Sequence, residues 1–375
     1  MNLLIINLDK AIFSKNSASL DRLKEYSALV DKIFVIVWTM GGERPISYND
    51  KLFIYPTNSR CRLFYYFASL NISRKILEHE KIDLIFTQDP FETGLAGWLI
   101  SRIYKIKLQL QIHTDIFSPY FWRESLANKL RVRLGEFLIK RADSFRVVSR
   151  RIKESLIKLD VPAEKIFVLP IFTDVKKFIA SPMKSDLKNK YPQFNFIILM
   201  ACRLSWEKNI GLAVEAMAEV VKEHPRAGLV IVGSGAEKEN IFKKIKRLKL
   251  ENNVKLKPWT FALVDYYKSA DLFLLTSNYE GWSLAVVEAM AAGCPVVMTD
   301  VGCAGEVIQS GKSGLVVPVG GKTELVEAML KIIKDASLRK SLAQNAKLAV
   351  ARLPSKEQTL ALYKKLWELA VANKL

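Results

Sequence analysis

Two carboxylates and two cations follow predicted strands in the second half of this 375-residue chain. Glu280 and Glu288 lie eight residues apart, the first in a loop and the second in a helix predicted from about Ser283 to Ala292. This spacing allows both carboxylates to face one ligand. Arg203 and Lys208 follow another strand, where a guanidinium fork and an ammonium could clamp a diphosphate and neutralise a leaving phosphate. An ordinary solvated cation pair is the alternative.

The start of the helix that carries Glu288 offers free backbone amides, and the helix dipole favours a phosphate there. Glu288 stands among apolar neighbours, so it needs a partner, and ribose hydroxyls fit. A Gly-x-Gly turn after a further strand would let amides approach a phosphate, although a plain tight turn is equally consistent. The G-x-G-x-x-G pattern of nicotinamide and flavin sites is absent. The candidate donor-binding residues are Gly281, Trp282, Ser283, Leu284, Gly233 and Gly235.

Parallel sheets wrapped by helices must position these residues, because short β-branched runs alternate with longer helical patterns. The alternation breaks once, near residues 170–192. We therefore predict a domain over 1–174, a second over 175–354, and a helix over 355–375 that crosses back to the first domain. Ligands of such α/β domains bind beyond the carboxyl ends of the strands, and the cleft between two domains is the default site. The predicted strands are Leu3–Leu8, Lys32–Trp38, Asp83–Thr87, Lys107–His113, Ser144–Ser149, Asn195–Ala201, Ala227–Val232, Asn253–Lys257, Leu272–Thr276 and Pro295–Thr299.

Several motifs together resemble the retaining glycosyltransferases of family 4, which have the GT-B fold of two Rossmann-like domains facing each other across a cleft. The resemblance is carried over residues 140 to 340, roughly, by Arg203-x4-Lys208, Gly233-x-Gly235, Glu280-x7-Glu288 followed by residues 289–297, and the stretches 168–174, 301–308 and 314–318.

The resemblance implies a role for each matching position. Arg203 and Lys208 would neutralise the nucleotide diphosphate in place of a metal, and Glu288 would bind ribose. Glu280 and the amides of 281–284 would position the donor sugar and phosphates. It also implies retention of anomeric configuration by front-face attack, so no protein nucleophile is assigned.

The first domain offers further candidates near strand ends. His113 stands at the end of a predicted strand, where the family has a histidine that contacts the donor sugar. A lone histidine is more often structural. Asp115 is a weaker candidate that could only orient the loop. The family's glycine-rich loop after the first strand has no glycine here, so the acceptor candidates in it are Lys15, Asn16 and Ser17.

Charge suggests an acidic partner, since the net charge is +19 and the pI is about 9.6. Residues 101–158 hold 14 cations and 5 acids, a surplus of 9. Aromatic residues accompany cations at Tyr120–Arg123 and Arg60–Phe67, as on surfaces that bind anionic membranes, although a solvated basic face is equally consistent. No uncharged apolar run reaches 18 residues, so any membrane contact would be peripheral.

Cysteine and histidine usage favours a reducing, cytoplasmic setting without a metal. The four cysteines lie far apart without C-x-x-C spacing, and three histidines are too few for a histidine-built metal centre.

The expected function is hexosyl transfer from a nucleoside diphosphate sugar, with UDP or GDP as the nucleotide. The acceptor would be a glycolipid, lipid-linked oligosaccharide or polysaccharide at the cytoplasmic membrane face, with no cofactor, metal or nucleic acid. A soluble enzyme that forms a sugar phosphate or disaccharide is the alternative within this chemistry. A GT-B epimerase or phosphorylase is another. A basic nucleic-acid-binding protein is the alternative from a different class, and it leaves both carboxylates without a role.

Overall fold

The computed structural model describes residues 1–14 and 17–372, and Lys15 and Asn16 lie outside the described residues. Within that part, the chain forms two compact units. Unit 1 comprises Met1–Phe117, Ser125–Pro170 and the chain from Lys356, and unit 2 comprises Ser118–Glu124 and Ile171–Ser355. The division at Pro170 lies four residues before the predicted boundary. No sequence pattern indicated that Ser118–Glu124 belongs to unit 2.

Fourteen strands occur in the described residues. Those of unit 1 are β1 (Asn2–Asn7), β2 (Lys32–Val37), β3 (Ile46–Tyr48), β4 (Leu52–Pro56), β5 (Leu84–Thr87), β6 (Lys107–Ile112), β7 (Ser144–Val147) and β8 (Ile166–Val168). Those of unit 2 are β9 (Phe196–Ala201), β10 (Ala227–Val232), β11 (Val254–Lys257), β12 (Leu272–Leu275), β13 (Val296–Thr299) and β14 (Leu315–Val317).

Fifteen α-helices lie in the same described part of the chain. They are α1 (Ala18–Ser27), α2 (Phe64–Leu77), α3 (Glu92–Tyr104), α4 (Pro119–Glu124), α5 (Leu126–Ile139), α6 (Arg150–Ile157), α7 (Val175–Ala180), α8 (Leu187–Lys190), α9 (Ile210–Glu223), α10 (Lys238–Arg247), α11 (Leu263–Ser269), α12 (Leu284–Ala292), α13 (Lys322–Lys334), α14 (Ala336–Val350) and α15 (Lys356–Ala372).

Unit 1 is built on an eight-stranded sheet of order β3-β4-β2-β1-β5-β6-β7-β8, parallel except for the β3–β4 pair. Its central strands read as continuous apolar runs because helices cover both faces. Serine N-caps begin three helices of this unit, at Ser17, Ser125 and Ser149. Helix α15 lies in this unit, where Trp367 stacks on Phe86 and is fully buried.

Unit 2 is built on a six-stranded parallel sheet of order β11-β10-β9-β12-β13-β14. Helix α12 ends at Gly293, whose φ of 83° is the left-handed conformation that a glycine after a helix supplies. The two doubly wound α/β units with parallel sheets confirm the predicted fold class. The ten predicted strands are present, and the four strands outside that list, β3, β4, β8 and β14, are short strands of three to five residues.

The α-helices of the described residues are between four and 17 residues long. None of them combines the length and the apolar character that crossing a membrane requires.

Candidate active site

Two loops of unit 2 carry the charged candidates, and hydrogen bonds join these loops. The first loop follows β9 and includes the short 3-10 helix Trp206–Lys208, and the second follows β12 and leads into α12. The Thr276 hydroxyl donates to the carbonyl of Lys208 at 3.0 Å. The amide of Asn278 donates to the carbonyl of Glu207 at 2.7 Å. These bonds hold the start of the second loop against the first, so residues 70 positions apart share one site.

Lys208 and Glu280 form a largely buried ion pair. Lys208 Nζ lies 2.7 Å from Glu280 Oε1, and the two side chains are 14% and 12% exposed. The Ser277 hydroxyl donates to the same carboxylate oxygen at 2.8 Å. Burial by itself would lower the pKa of the Lys208 ammonium, but its attraction to Glu280 and Glu207 outweighs burial and raises that pKa. Lys208 is therefore a permanent cation with a fixed position.

Glu207 bridges the two cations that were predicted to bind phosphate. Its Oε1 lies 3.1 Å from Arg203 Nη2 and 3.2 Å from Lys208 Nζ. The Arg203 side chain is 70% exposed, so its guanidinium can also reach a ligand from solvent. The two cations thus converge on one oxyanion position, which is the geometry that binding a phosphate oxygen requires.

The start of α12 presents backbone amides. The amides of Gly281, Trp282 and Ser283 donate to no acceptor within the residues that the structure describes. Ser283 is a non-glycine residue with φ of 80°, a conformation that is costly for L-residues. Its hydroxyl and the indole N–H of Trp282 are buried and have no partner in the described part of the chain. With Leu284 as the first helical residue, this terminus can accept an anion.

A turn after β13 presses against this loop. The amide of Cys303 donates to the carbonyl of Trp282 at 3.0 Å. Gly302 has φ of 56°, and a Cβ there would lie 2.5 Å from Ser283 Oγ and 2.9 Å from Glu280 Cβ. Only glycine allows this approach, so Gly302 fixes the position of the Glu280 loop.

Glu288 lies in a different environment from Glu280. The Tyr267 hydroxyl of α11 donates to Glu288 Oε2 at 2.9 Å. Burial raises the pKa of the Glu288 carboxyl, and the Tyr267 hydrogen bond and the more distant Lys177 offset only part of that increase. The sequence required a partner for this carboxylate, and the chain itself supplies one in Tyr267.

Gly233 and Gly235 serve the packing of two loops. A Cβ on Gly233 would lie 1.9 Å from the carbonyl oxygen of Cys202, and one on Gly235 would lie 2.3 Å from that of Leu204. The amide of Gly233 donates to the carbonyl of Lys257 at 2.9 Å and is therefore already engaged. The structure thus explains these glycines by close backbone approach, and the predicted phosphate contact of the Gly233 amide is not available.

The His113 ring is engaged within unit 1. His113 Nε2 lies 3.1 Å from Gln111 Oε1, and Arg146 Nη1 lies 3.2 Å from His113 Nδ1. Burial, and then the positive charges of Arg146 and Arg22, lower the pKa of the imidazole well below its usual value. The ring is therefore neutral near pH 7.

The remaining first-domain candidates have local tasks. Ser17 accepts a hydrogen bond from the amide of Leu20 at 3.4 Å as the N-cap of α1. Asp115 accepts from the amide of Phe117 at 3.2 Å, which orders the loop after β6. Lys15 and Asn16 stay predictions outside the described residues.

Within the described residues, no group of three or more His, Cys, Asp or Glu side chains is placed to hold a metal ion.

Two family models match the sequence and together span most of it. Residues 26–177 match the family described as Glycosyltransferase Family 4, and residues 184–349 match Glycosyl transferases group 1. The chain belongs to glycosyltransferase family 4. This family 4 glycosyltransferase has the GT-B fold, in agreement with the resemblance in its sequence.

Curated relatives and solved structures are similar to this glycosyltransferase over most of its length. N-acetyl-alpha-D-glucosaminyl L-malate synthase of Bacillus anthracis is 25% identical over 297 residues, 78% of this chain and 76% of that protein. UDP-Gal:alpha-D-GlcNAc-diphosphoundecaprenol alpha-1,3-galactosyltransferase of Escherichia coli is 26% identical over 338 residues, 84% of each chain. The Anabaena HepE structure in complex with UDP matches with a TM-score of 0.75, 20% identity and full coverage of both chains.

Sequence reasoning missed two residues that contact the predicted site residues. Glu207 is adjacent to Lys208 in a loop already singled out, so its carboxylate was a local signal. Tyr267 lies 21 residues before Glu288 on another helix, and no spacing rule connects the two.

Proposed function

We propose that this glycosyltransferase is a metal-independent, retaining hexosyltransferase that uses a nucleoside diphosphate sugar. UDP or GDP is the proposed nucleotide. The observation that carries the proposal is the convergence of Arg203 and Lys208 on Glu207 Oε1. A diphosphate oxygen that replaces Glu207 Oε1 between the two cations would contact both of them at hydrogen-bond distance.

The donor would lie between these cations and the start of α12. The unengaged amides of Gly281 and Ser283 would bind phosphate oxygens, and Glu288 would accept hydrogen bonds from the ribose hydroxyls. Glu280 would position the sugar, since its carboxylate is already held by Lys208 and Ser277.

The proposed chemistry needs cations where the leaving group gains charge. The bond from the sugar C1 to the phosphate oxygen breaks while the acceptor oxygen bonds to C1 on the same face. The acceptor proton passes to the departing phosphate oxygen, so no side chain is required as a nucleophile. Arg203 and Lys208 would stabilise the charge on the diphosphate and so take the part that a metal ion plays elsewhere.

The acceptor is proposed to be a glycolipid, lipid-linked oligosaccharide or polysaccharide at the cytoplasmic membrane face. One relative is named for a lipid diphosphate acceptor. In unit 1, large apolar side chains are exposed on or next to the neighbouring helices α2, α3 and α5. They lie in the two basic stretches of the sequence, Arg60–Phe67 and residues 101–158. The exposed side chains are Leu63, Phe64, Phe67, Ile103, Leu126 and Leu130, all more than half exposed. Apolar side chains beside cations are the composition that binds an anionic membrane surface.

A soluble acceptor is the second candidate, since another relative is named as the synthase of N-acetyl-alpha-D-glucosaminyl L-malate. A basic nucleic-acid-binding protein remains an outcome of the test below.

Ligand-induced thermal stabilisation tests the donor site. UDP, GDP, ADP and CMP are added with a chelator to the wild type, to Arg203→Met, and to Arg247→Met as a control on exposed α10. At 100 times its dissociation constant a ligand adds about 2.7 kcal/mol, which is a rise of a few degrees. We expect UDP or GDP to stabilise the wild type and the control but not Arg203→Met. Stabilisation by nucleic acid alone, with a steep salt dependence, would contradict the proposal.

Vesicle flotation and transfer assays test the acceptor. Binding to phosphatidylglycerol vesicles over phosphatidylcholine vesicles should fall in Leu126→Gln/Leu130→Gln and persist in the control Leu348→Gln, an exposed leucine of α14. Full transfer to water-soluble acceptors without vesicles would favour the soluble enzyme. The anomeric configuration of the product, read by NMR, tests retention.

A further inference from the structure

Arg146 is an arginine inside the sheet of unit 1. It lies in β7, pairs in register with Gln111 of β6 and Phe167 of β8, and is 1% exposed. A buried guanidinium stays charged, and burying a charge is costly unless it is paired. A charged residue in this place therefore requires an explanation beyond packing.

The partners of Arg146 are neutral. Nη1 lies 3.2 Å from His113 Nδ1, and Nη2 donates to the carbonyl of Pro170 at 3.3 Å. The guanidinium carbon lies 5.3 Å from the centre of the Tyr363 ring of α15. Among the described residues no carboxylate forms an ion pair with Arg146, and its Nε has no partner there. The cation is held by dipoles and an aromatic face only.

These contacts define the state of the His113 ring. Gln111 Oε1 can only accept, so the proton of the neutral ring belongs on Nε2, which lies 3.1 Å away. Arg146 Nη1 lies within hydrogen-bond distance of both ring nitrogens, 3.2 Å from Nδ1 and 3.3 Å from Nε2, and the unprotonated Nδ1 is the one that can accept from it. A second positive charge on the ring, 3.2 Å from the guanidinium, would be repelled.

The other groups around His113 agree with this assignment. The charged groups that act on the ring are Arg146 of β7 and Arg22 of α1, and both lower its pKa in addition to burial. The Tyr26 ring of α1 packs at a tilt of 47° against the Tyr363 ring of α15. Burial raises the pKa of Tyr26, so it adds no charge near pH 7.

We propose that Arg146 is a positioning residue for sugar transfer, which orients the His113 imidazole and keeps it neutral at the carboxyl end of β6. The inference rests on the proposed sugar transfer and on the contact with the donor sugar that the family resemblance implies for His113. Because Arg146 also donates to the carbonyl of Pro170, the last residue of the segment Ser125–Pro170, and packs on α15, it links these two segments to the His113 ring. Arg146 contributes both a positive charge and directed hydrogen bonds to this role. Arg146→Lys keeps the charge without the guanidinium geometry, and Arg146→Met removes both.

The first test is titration of His113 by NMR in the protein without ligand. The chain has only three histidines, so His79 and His224 are internal references, assigned through His79→Gln and His224→Gln. We expect the His113 pKa to be below the usual value in the wild type, to rise in Arg146→Met, and to stay low in Arg146→Lys, which keeps the charge. The exposed Arg150→Met, four residues along, should leave it unchanged.

The second test is the pH profile of kcat/KM for the same variants. In Arg146→Met, kcat/KM should fall as the pH falls through the raised His113 pKa. The wild-type profile should lack this step. Arg146→Lys should lower kcat/KM by about tenfold, without that step, because an ammonium cannot reproduce the guanidinium fork.

The outcomes distinguish this inference from the proposed function. An ordinary His113 pKa in the wild type would overturn the inference whether or not the variant folds. Equal His113 titration in the wild type and in folded Arg146→Met would overturn it as well. Binding of UDP or GDP depends on unit 2 and is measured separately. If Arg146→Met shifts the His113 pKa yet keeps the wild-type kcat/KM at every pH, the ring is held by Arg146 but has no part in transfer.

Discussion

Glu280 and Glu288 lie eight residues apart, yet the structure treats the two carboxylates differently. The Glu280 carboxylate accepts hydrogen bonds from the Lys208 ammonium and the Ser277 hydroxyl. Glu288 receives a single neutral hydroxyl from Tyr267, and its pKa is raised by burial. The negative charge of Glu280 is therefore paired before any ligand binds. The desolvation cost of the buried Glu288 carboxylate is only partly offset, and a ligand that donates hydrogen bonds can reduce it.

This difference suggests different tasks for two residues that the sequence treats alike. A compensated carboxylate keeps its charge and its place, which suits positioning a sugar. A poorly compensated one gains most from new hydrogen-bond donors, which suits binding ribose hydroxyls. Changes that remove the compensation of Glu280, or that relieve the cost at Glu288, test this distinction.

The largest effect is expected from Lys208→Met, which leaves Glu280 and Glu207 without their shared cation. Breaking a buried pair costs about 3–5 kcal/mol, and loss of a transition-state cation lowers kcat by about 100-fold or more. Denaturant unfolding and transfer assays measure both. The control is Lys244→Met, which breaks the more exposed pair with Glu215 and should cost about 1 kcal/mol or less. Equal losses in both variants would mean that the Glu280 pair has no special part.

Gly302→Ala should have the next largest effect, because it displaces the Glu280 loop without touching Glu288. The new Cβ meets Ser283 Oγ and Glu280 Cβ, and the backbone is left-handed. We expect a loss of about 1–3 kcal/mol and a fall in kcat/KM of about tenfold.

Gly305→Ala is the matched control for this change. Its φ of 81° is also left-handed, but a Cβ there has no heavy atom within 4 Å. It should show only the backbone cost of about 1 kcal/mol. If both alanine variants keep full activity, contact with Gly302 does not position Glu280.

Glu288→Gln should stabilise the ligand-free protein above neutral pH by about 1 kcal/mol, a few degrees in Tm. The folded pKa of Glu288 is raised, so its favourable contribution is present below the unfolded pKa and is lost as pH rises through the folded pKa. Glutamine removes this dependence and can still accept from Tyr267. Thermal unfolding across pH measures it, and the variant should also lose stabilisation by UDP or GDP. If Glu288→Gln has a lower Tm than the wild type at high pH, burial of the charged Glu288 carboxylate does not destabilise the protein, and the prediction is wrong.

The smallest effect is expected from Tyr267→Phe, which removes the hydrogen bond to Glu288. The hydrogen bond from Tyr267 also holds the Glu288 carboxylate in place for the ribose hydroxyls. Without it, nucleotide affinity should fall by about fivefold, which corresponds to about 1 kcal/mol, and the Glu288 pKa should rise further. Calorimetric titration measures the affinity. The control is Tyr266→Phe, whose hydroxyl only meets Lys190 in an exposed contact at 3.4 Å. Equal affinities in the two variants would show that Tyr267 does not prepare Glu288.

The sequence determined the fold class and most of the charged residues of the candidate site. Short apolar runs that alternate with helical patterns predicted both parallel sheets, since strands buried on two faces are mostly apolar. The motifs around Arg203, Lys208 and Glu280 pointed to residues that the structure brings together. These are local signals, because residues that follow a strand or open a helix are set by short-range pattern.

Only the tertiary structure decided which groups compensate one another. Tyr267 beside Glu288, Gly302 against the Glu280 loop, and Arg146 beside His113 all join segments that no periodicity connects. The same holds for Ser118–Glu124, which follows a strand of unit 1 and yet belongs to unit 2. The physical reason is that burial and electrostatic compensation depend on distances between side chains, and those distances exist only after the sheets and helices have packed.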